Sequence, residues 1–209
     1  MADVFNRNYK QYDMWYEKHK FIYLSEIAAA KKAVPKKGKG LEIGVGTGRF
    51  AESLGISVGI DPSVKMLEIA KTRGVKTYLG KGENLPFKDS EYDFVLVMIT
   101  LCFVDNPDQV IKESRRVLKY NGKLIIGIVD RDGHLGKIYQ KKKRQKHMFY
   151  KEVKFFSTSE VIKLLKKYNF NKITTFQTIF QPLEKIKKIE RPIKGFGKGG
   201  FVVICGKKT

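Results

Sequence analysis

The chain has 209 residues, 42% of them apolar and 12% aromatic, enough for one large domain with a buried core and too apolar for a disordered chain. Its 42 basic residues against 21 acidic ones leave a net charge of +21. Such a surplus governs solubility and encounter with anionic partners, and it does not by itself assign an activity.

Residues 1–37 read as helical, with Tyr9, Tyr12, Trp15, Tyr16, Ile22, Tyr23 and Ile27 at roughly helical spacing, until Pro35 and the run KKGKG break the pattern. From Leu41 short apolar strands alternate with amphipathic helices. Leu41–Val45 is a predicted strand, followed by a glycine-rich turn and a helix from Arg49 to Leu54 that Gly55 stops. Ser57–Asp61 is a second strand. Pro62 suits the first turn of the next helix, which carries Val64, Leu67 and Ala70 on one face and ends at Gly74. Val75–Leu79 and Asp93–Met98 are the third and fourth strands. Asn106-Pro107 opens a helix to Leu118, closed by the turn Tyr120-Asn121-Gly122, and Lys123–Val129 is the fifth strand.

A basic stretch, Lys137 to His147, interrupts the alternation within a segment, 131–156, expected on the substrate side. Ser157 and Glu160 then form a capping box ahead of a helix bearing Val161, Ile162, Leu164, Leu165 and Tyr168. Ile173–Phe180 and Phe201–Cys205 are the last two strands; the loop from Pro182 to Gly200 between them has no helix long enough for a parallel crossover, so this pair is expected to be antiparallel. The expected architecture is a mostly parallel seven-stranded α/β sheet with helices on both faces. It divides into a helical cap (1–37), a ligand-binding core (38–130), the basic insertion (131–156) and a C-terminal helix with the final strands (157–209).

Cys102 and Cys205 lie inside apolar runs without paired Cys or His spacing, so neither a disulfide framework nor a metal site is expected. The opening MADVFNRNYK has no apolar core or cleavage pattern, and the longest apolar run, 94–104, is too short for a bilayer. A cytoplasmic protein is therefore expected.

The most informative segment is Leu41-Glu42-Ile43-Gly44-Val45-Gly46-Thr47-Gly48-Arg49. Alternate glycines after a strand allow a tight bend, positive φ and close approach of a ligand, and the following helix would present free N–H groups to it. The spacing is G-x-G-x-G, so the third glycine of a dinucleotide fingerprint falls on Arg49, and no phosphate-loop G-K-[ST] follows. One strand later Asp61 offers a carboxylate suited to a ribose diol, or alternatively a cap for the helix at Pro62.

E-x-G-x-G-x-G, Gly-Ile-Asp, GKGENLPF, YDFVLVMITLCFVDNP and RRVLKYNGKLII, in that order, resemble the class I S-adenosylmethionine-dependent methyltransferases, most of all the broad branch with quinone-biosynthesis enzymes. The likeness covers roughly residues 38–130 and implies a Rossmann-like sheet binding S-adenosylmethionine. It implies that Gly44, Gly46 and Gly48 line the methionine part, with Glu42 assisting, and that Asp61 holds the ribose. Pro62 and Met66 would pack near the adenine, Gly82, Glu83 and Asn84 would contact its edge, and Met98 and Ile99 would close the site. Two departures are visible: Lys81 stands where members often have an acidic residue, and Leu101-Cys102 where many have histidines, which excludes a histidine acting there.

Methyl transfer from a sulfonium needs alignment and exclusion of water, with a base only if the nucleophile arrives protonated. His19, His134 and His147 all sit in polar or basic stretches, and no catalytic residue is assigned. Tyr12, Trp15 and Tyr16, beside Asp13, read either as a helix packed on the sheet or as a lid near the acceptor. A small-molecule acceptor is the leading expectation. RNA is the alternative, supported by the charge and the basic stretch. Against it stand the missing Asn/Asp-Pro-Pro-aromatic signature, a Cys102 without an activating neighbour and the lack of an RNA-binding module. A nicotinamide-dependent oxidoreductase or a non-catalytic binding module are the remaining readings.

Overall fold

The computed structural model describes residues 2–145, 148–150 and 153–209. Two helices, α1 (Ala2–Lys18, with a kink at Asn8) and α2 (Lys20–Ala30), replace the single helical cap that the aromatic spacing suggests, because the helix breaks at His19. The core then follows as β1 (Gly40–Ile43), α3 (Arg49–Leu54), β2 (Val58–Asp61), α4 (Val64–Thr72), β3 (Lys76–Leu79), β4 (Tyr92–Met98), α5 (Pro107–Val117) and β5 (Leu118–Val129). The remainder is α6 (His134–Arg144), α7 (Thr158–Lys167), β6 (Phe170–Thr178), a short 3-10 turn at Leu183–Lys185, β7 (Ile193–Lys194) and β8 (Phe201–Lys208).

The caps read from the sequence form as side-chain hydrogen bonds. Asn106 accepts from the Gln109 N–H at 3.1 Å with Pro107 beside it, and Ser157 and Glu160 exchange hydrogen bonds at 3.2 and 2.9 Å. Ser63, not Asp61, caps α4, accepting from the Met66 N–H. The helix expected to run to Leu118 stops at Val117, and β5 begins at once: Leu118 pairs with Tyr92, and Asn121, at φ +66°, bends the strand before Lys123 pairs with Phe94. The turn seen in Tyr120-Asn121-Gly122 is thus a bulge within a longer strand.

The sheet order is β3-β2-β1-β4-β5-β8-β6-β7, with β1 to β5 parallel and β8 antiparallel to both β5 and β6. The expected architecture holds, with one addition. Ile193 and Lys194, in the stretch read as a loop, pair with Phe176 and Gln177 and make an eighth strand at the edge. Strand alternation divides the core in two. Phe94, Leu96 and Met98 of β4 face one layer with Ile27, Phe50, Leu67 and Tyr139, whereas Val95 and Val97 face the other with Ile111, Val161 and Leu165. The order reverses between β1 and β4, and the loops after these strands open a crevice at their carboxyl ends.

Candidate functional site

β1 ends at Ile43 and α3 starts at Arg49, so residues 44–48 must reverse the chain. They do so with Gly44, Gly46 and Gly48 at φ +70°, +53° and +83°. The neighbours of the three differ. A Cβ at Gly44 would lie 2.2 Å from Thr100 Cγ2 and one at Gly48 3.0 Å from Ala70 Cα, whereas at Gly46 the nearest atom is Tyr12 Cε1 at 3.9 Å. Gly44 and Gly48 are packing glycines, and Gly46 faces open space. The amides of this turn donate within the chain: Gly44 and Val45 to Ile60 O, Gly48 to Val45 O, and Gly46 to Asp61 Oδ2 at 2.9 Å. The free donors that a phosphate would need are absent at these four positions.

The crevice is a cleft of about 240 Å³. Asp61, at the end of β2, accepts from the Gly46 and Ser63 N–H groups at 2.9 and 2.8 Å. Burial pushes its carboxyl up to about 6 in spite of those two hydrogen bonds. Of the twelve residues expected to bind the cofactor, eight line this cleft: Gly44, Gly46, Asp61, Pro62, Met66, Gly82, Glu83 and Ile99. Glu42, Gly48, Asn84 and Met98 are not on its wall. Gly48 packs on α4, Met98 is buried against Gly127, and the Asn84 N–H closes a turn on Lys81 O at 3.2 Å. Glu42 lies buried, 1% exposed, and among the described residues its Oε2 has no hydrogen-bond partner. Burial keeps its carboxyl well above the usual range, and the nearby Asp61 adds to the effect.

The charge of the cleft opposes that of the chain. Four carboxylates line it, Asp3, Asp61, Glu83 and Asp105, against one lysine, Lys81, which is paired with Asp105 at 2.8 Å. Glu83 also receives the Asp105 and Asn106 N–H groups at 2.9 and 3.2 Å, tying the loop after β3 to the start of α5.

A second cavity of about 210 Å³ shares Phe5, Tyr12, Ile99 and Phe103 with the cleft. Its wall is largely aromatic. Tyr12, Trp15 and Tyr16 of α1 all contribute, with Tyr139 of α6, Phe149, Tyr150 and Phe155. The basic stretch is therefore not a free loop where it is described. α6 buries Leu135 and Tyr139, four residues apart, and turns Lys137, Lys141 and Lys143 outward, while Lys142 lies on the chamber wall. Cys102 lines the chamber, and burial pushes its thiol up to about 12. His19 packs against Trp15 with the rings tilted by 43°, and His134 contacts Gln181 O; neither lines the cleft or the chamber. His147 lies outside the described residues. Among the described residues no cluster of His, Cys, Asp or Glu side chains could hold a metal ion, and no helix is long and apolar enough to cross a membrane.

α1 is fastened over both cavities by Asp13. Its carboxylate accepts from Arg49 Nε and Nη2 at 2.8 and 2.7 Å, Thr47 Oγ1 at 2.6 Å and Arg73 Nη2 at 2.9 Å. Burial opposes its charge, but these hydrogen bonds outweigh it and hold the carboxyl far below the usual range. Asn6 adds a contact to Ser63 Oγ at 2.7 Å. The sequence reading missed Phe5, Phe103, Tyr139 and, above all, Glu26 of α2, which lines the chamber. Glu26 had a legible signal: with Ile22, Tyr23, Ile27 and Ala30 it falls on the apolar stripe of its helix, a place where a charge is unusual.

Residues 41–126 match the methyltransferase domain family. An uncharacterised protein of Methanocaldococcus jannaschii is 50% identical over 206 residues covering 99% of each chain. The crystal structure of a S-adenosylmethionine-dependent methyltransferase from Thermotoga maritima, given as a possible histamine N-methyltransferase, is 46% identical and superposes with a TM-score of 0.96 over 100% of this chain and 99% of that one. Demethylmenaquinone methyltransferase from Thermotoga maritima is 38% identical over 97 residues, 42% of each chain.

Proposed function

The chain belongs to the S-adenosylmethionine-dependent methyltransferases, and we propose that it methylates a small molecule held in the aromatic chamber beside its cofactor cleft. The observation that carries this reading is the acidic cleft in a chain of charge +21. S-adenosylmethionine brings a sulfonium and an ammonium against one carboxylate, and a lining of carboxylates suits that charge, as it would not suit a pyrophosphate. The open face of Gly46 and the buried Glu42, whose Oε2 has no hydrogen-bond partner among the described residues, support the fit.

In this reading Asp61 receives the ribose hydroxyls while Gly44 and Gly46 flank the amino-acid part. Pro62 and Met66 lie against the adenine, with Gly82 and Glu83 at its edge, and Ile99 separates cofactor from acceptor. Asn84 and Met98 act by shaping the walls, Gly48 by packing, and Glu42 by its charge state. When bound, the cofactor supplies an electrophilic methyl carbon. The residues of this chain orient the acceptor and keep water out: Phe5, Tyr12 and Phe103 stand between cleft and chamber, with Phe5 edge-on to both other rings at 5.5 and 5.2 Å.

The chamber is smaller than the roughly 300–1,000 Å³ of sites for drug-sized ligands. Its enclosure supports a small acceptor, as does the Thermotoga protein's description as a possible histamine N-methyltransferase. The net charge and the outward lysines of α6 favour a second reading, RNA as acceptor. The test is thermal shift followed by transfer of a labelled methyl group. At 100-fold excess over Kd, S-adenosylhomocysteine should add about 2.7 kcal/mol, roughly 5–10 °C in melting temperature. Stabilisation by NAD alone would overturn the cofactor assignment, and label entering total RNA but no small-molecule fraction would replace the first acceptor reading by the second.

A further inference from the structure

Glu26 is the least explained residue of the molecule. It sits in the middle of α2, 3% exposed, on the wall of the aromatic chamber, and among the described residues its Oε2 has no hydrogen-bond partner. A buried, unmatched carboxyl is destabilising, and the stripe of α2 would pack an apolar residue there without that cost. Among the described residues no cationic side chain pairs with it. The groups facing it are the phenols of Tyr12 and Tyr16 from α1 and of Tyr139 from α6, whose ordinary values burial raises so far that they stay neutral. Lys142, also on the wall, lies over the Tyr139 ring at 5.2 Å and forms no ion pair with Glu26.

A cavity with one acidic end and π-faces around it is complementary to a cation with an apolar body. We propose that the chamber takes a small organic amine, its ammonium donating to the Glu26 carboxylate and its apolar body lying among Tyr12, Tyr16, Tyr139 and Phe155. Taking this amine to be the methyl acceptor rests on the methyltransferase reading; the recognition of the amine does not.

The chemistry has a proton balance that can be measured. Burial pushes the Glu26 carboxyl up to about 8, so at pH 7 most molecules carry the proton before an amine binds. An ammonium that enters as a cation and pairs with the carboxylate therefore releases close to one proton to solvent. A neutral isostere releases none.

The experiment is calorimetric titration of the full chain at pH 7, with and without saturating S-adenosylhomocysteine, using phenethylamine and its neutral isostere 2-phenylethanol in buffers of different ionisation enthalpy. Phenethylamine should bind at least about tenfold more tightly than the alcohol and release close to one proton. Glu26→Gln should bring the two ligands within about threefold and abolish the release, with S-adenosylhomocysteine affinity unchanged. Equal binding of alcohol and amine to the native chain, amine binding without proton release, or no amine binding while S-adenosylhomocysteine binds would each overturn the proposal. Failure of S-adenosylhomocysteine to bind would strike the methyltransferase reading instead, and the titration of the free protein would still decide this one. The proton count comes from the native chain, so the test survives a variant that does not fold.

Discussion

If Asp61 holds the ribose as proposed, cofactor affinity must depend on pH in a specific way. The free carboxyl titrates near 6, raised from 3.8 by burial. Two hydroxyl donors favour the ionised form, so the bound carboxyl falls back below 6 and binding prefers the carboxylate. Affinity is then complete well above pH 6 and is lost as pH falls through it. The ionised fraction drops from about 0.97 at pH 7.5 to about 0.09 at pH 5, a loss of roughly tenfold in affinity. Folding stability runs the other way: with its folded value raised, this group favours the fold at low pH, and that contribution is lost as pH rises from about 4 to 6. Asp61→Asn should flatten the pH dependence and weaken binding by about a hundredfold. It loses the charge-assisted bonds, and its amide NH2 confronts either the Gly46 or the Ser63 N–H, both of which now donate to the carboxylate. The assay is calorimetry with S-adenosylhomocysteine from pH 5 to 8, with melting curves at each pH to verify the fold. A native affinity independent of pH, or an unchanged affinity in Asp61→Asn, would refute the role of this carboxylate.

Gly46→Val should fold with a penalty of about 1–2 kcal/mol from its φ of +53°, yet lose more than about a hundredfold in S-adenosylhomocysteine affinity, since its side chain would point into the cleft; normal binding would contradict the assignment of this turn. Asp13→Ala leaves Arg49 and Arg73 without their shared carboxylate, and among the described residues only the outer Glu17 and Glu52 remain to pair with them. It should lose about 3 kcal/mol and roughly 6–12 °C in melting temperature, with a weaker hold on cofactor, as scanning calorimetry would show. Cys102→Ser should retain at least about half the methyl-transfer rate with any acceptor found, because a thiol pushed up to about 12 is not a nucleophile at neutral pH; complete loss in a folded variant would revive thiolate chemistry.

The cleft was legible in the sequence because its wall is built largely from backbone. A strand, three glycines at fixed spacing and an acid at the end of the next strand are local in sequence, and each leaves a mark within a few residues of the next. The exceptions fail for local reasons of packing: Gly48 is needed by Ala70 and Asn84 by its own turn, so both belong to the motif without touching the cleft. The chamber was not legible because it is built from side chains that only the fold brings together. Phe5, Glu26, Phe103, Tyr139 and Phe155 come from α1, α2, the loop after β4, α6 and the segment before α7, and no spacing relates them. The lysines of α6 hid the one regular signal there, Leu135 and Tyr139 one helical turn apart. β7 escaped notice for the opposite reason: Ile193 and Lys194 are both exposed and have no alternation to read.

This division explains how charge and function sit in the molecule. Basic residues outnumber acidic ones two to one along the chain, yet the cleft gathers Asp3, Asp61, Glu83 and Asp105 and the chamber gathers Glu26. Asp3 and Asp105 lie at the exposed rim, but in a medium of lower dielectric the more enclosed Asp61 and Glu26 act on a ligand more strongly than a surface lysine screened by salt, which loses its reach within about 8 Å. The exterior can thus set solubility and encounter while the interior sets what is bound. A net charge taken from composition reports the first, and the preference for cationic ligands argued from Glu26 and the acidic cleft belongs to the second.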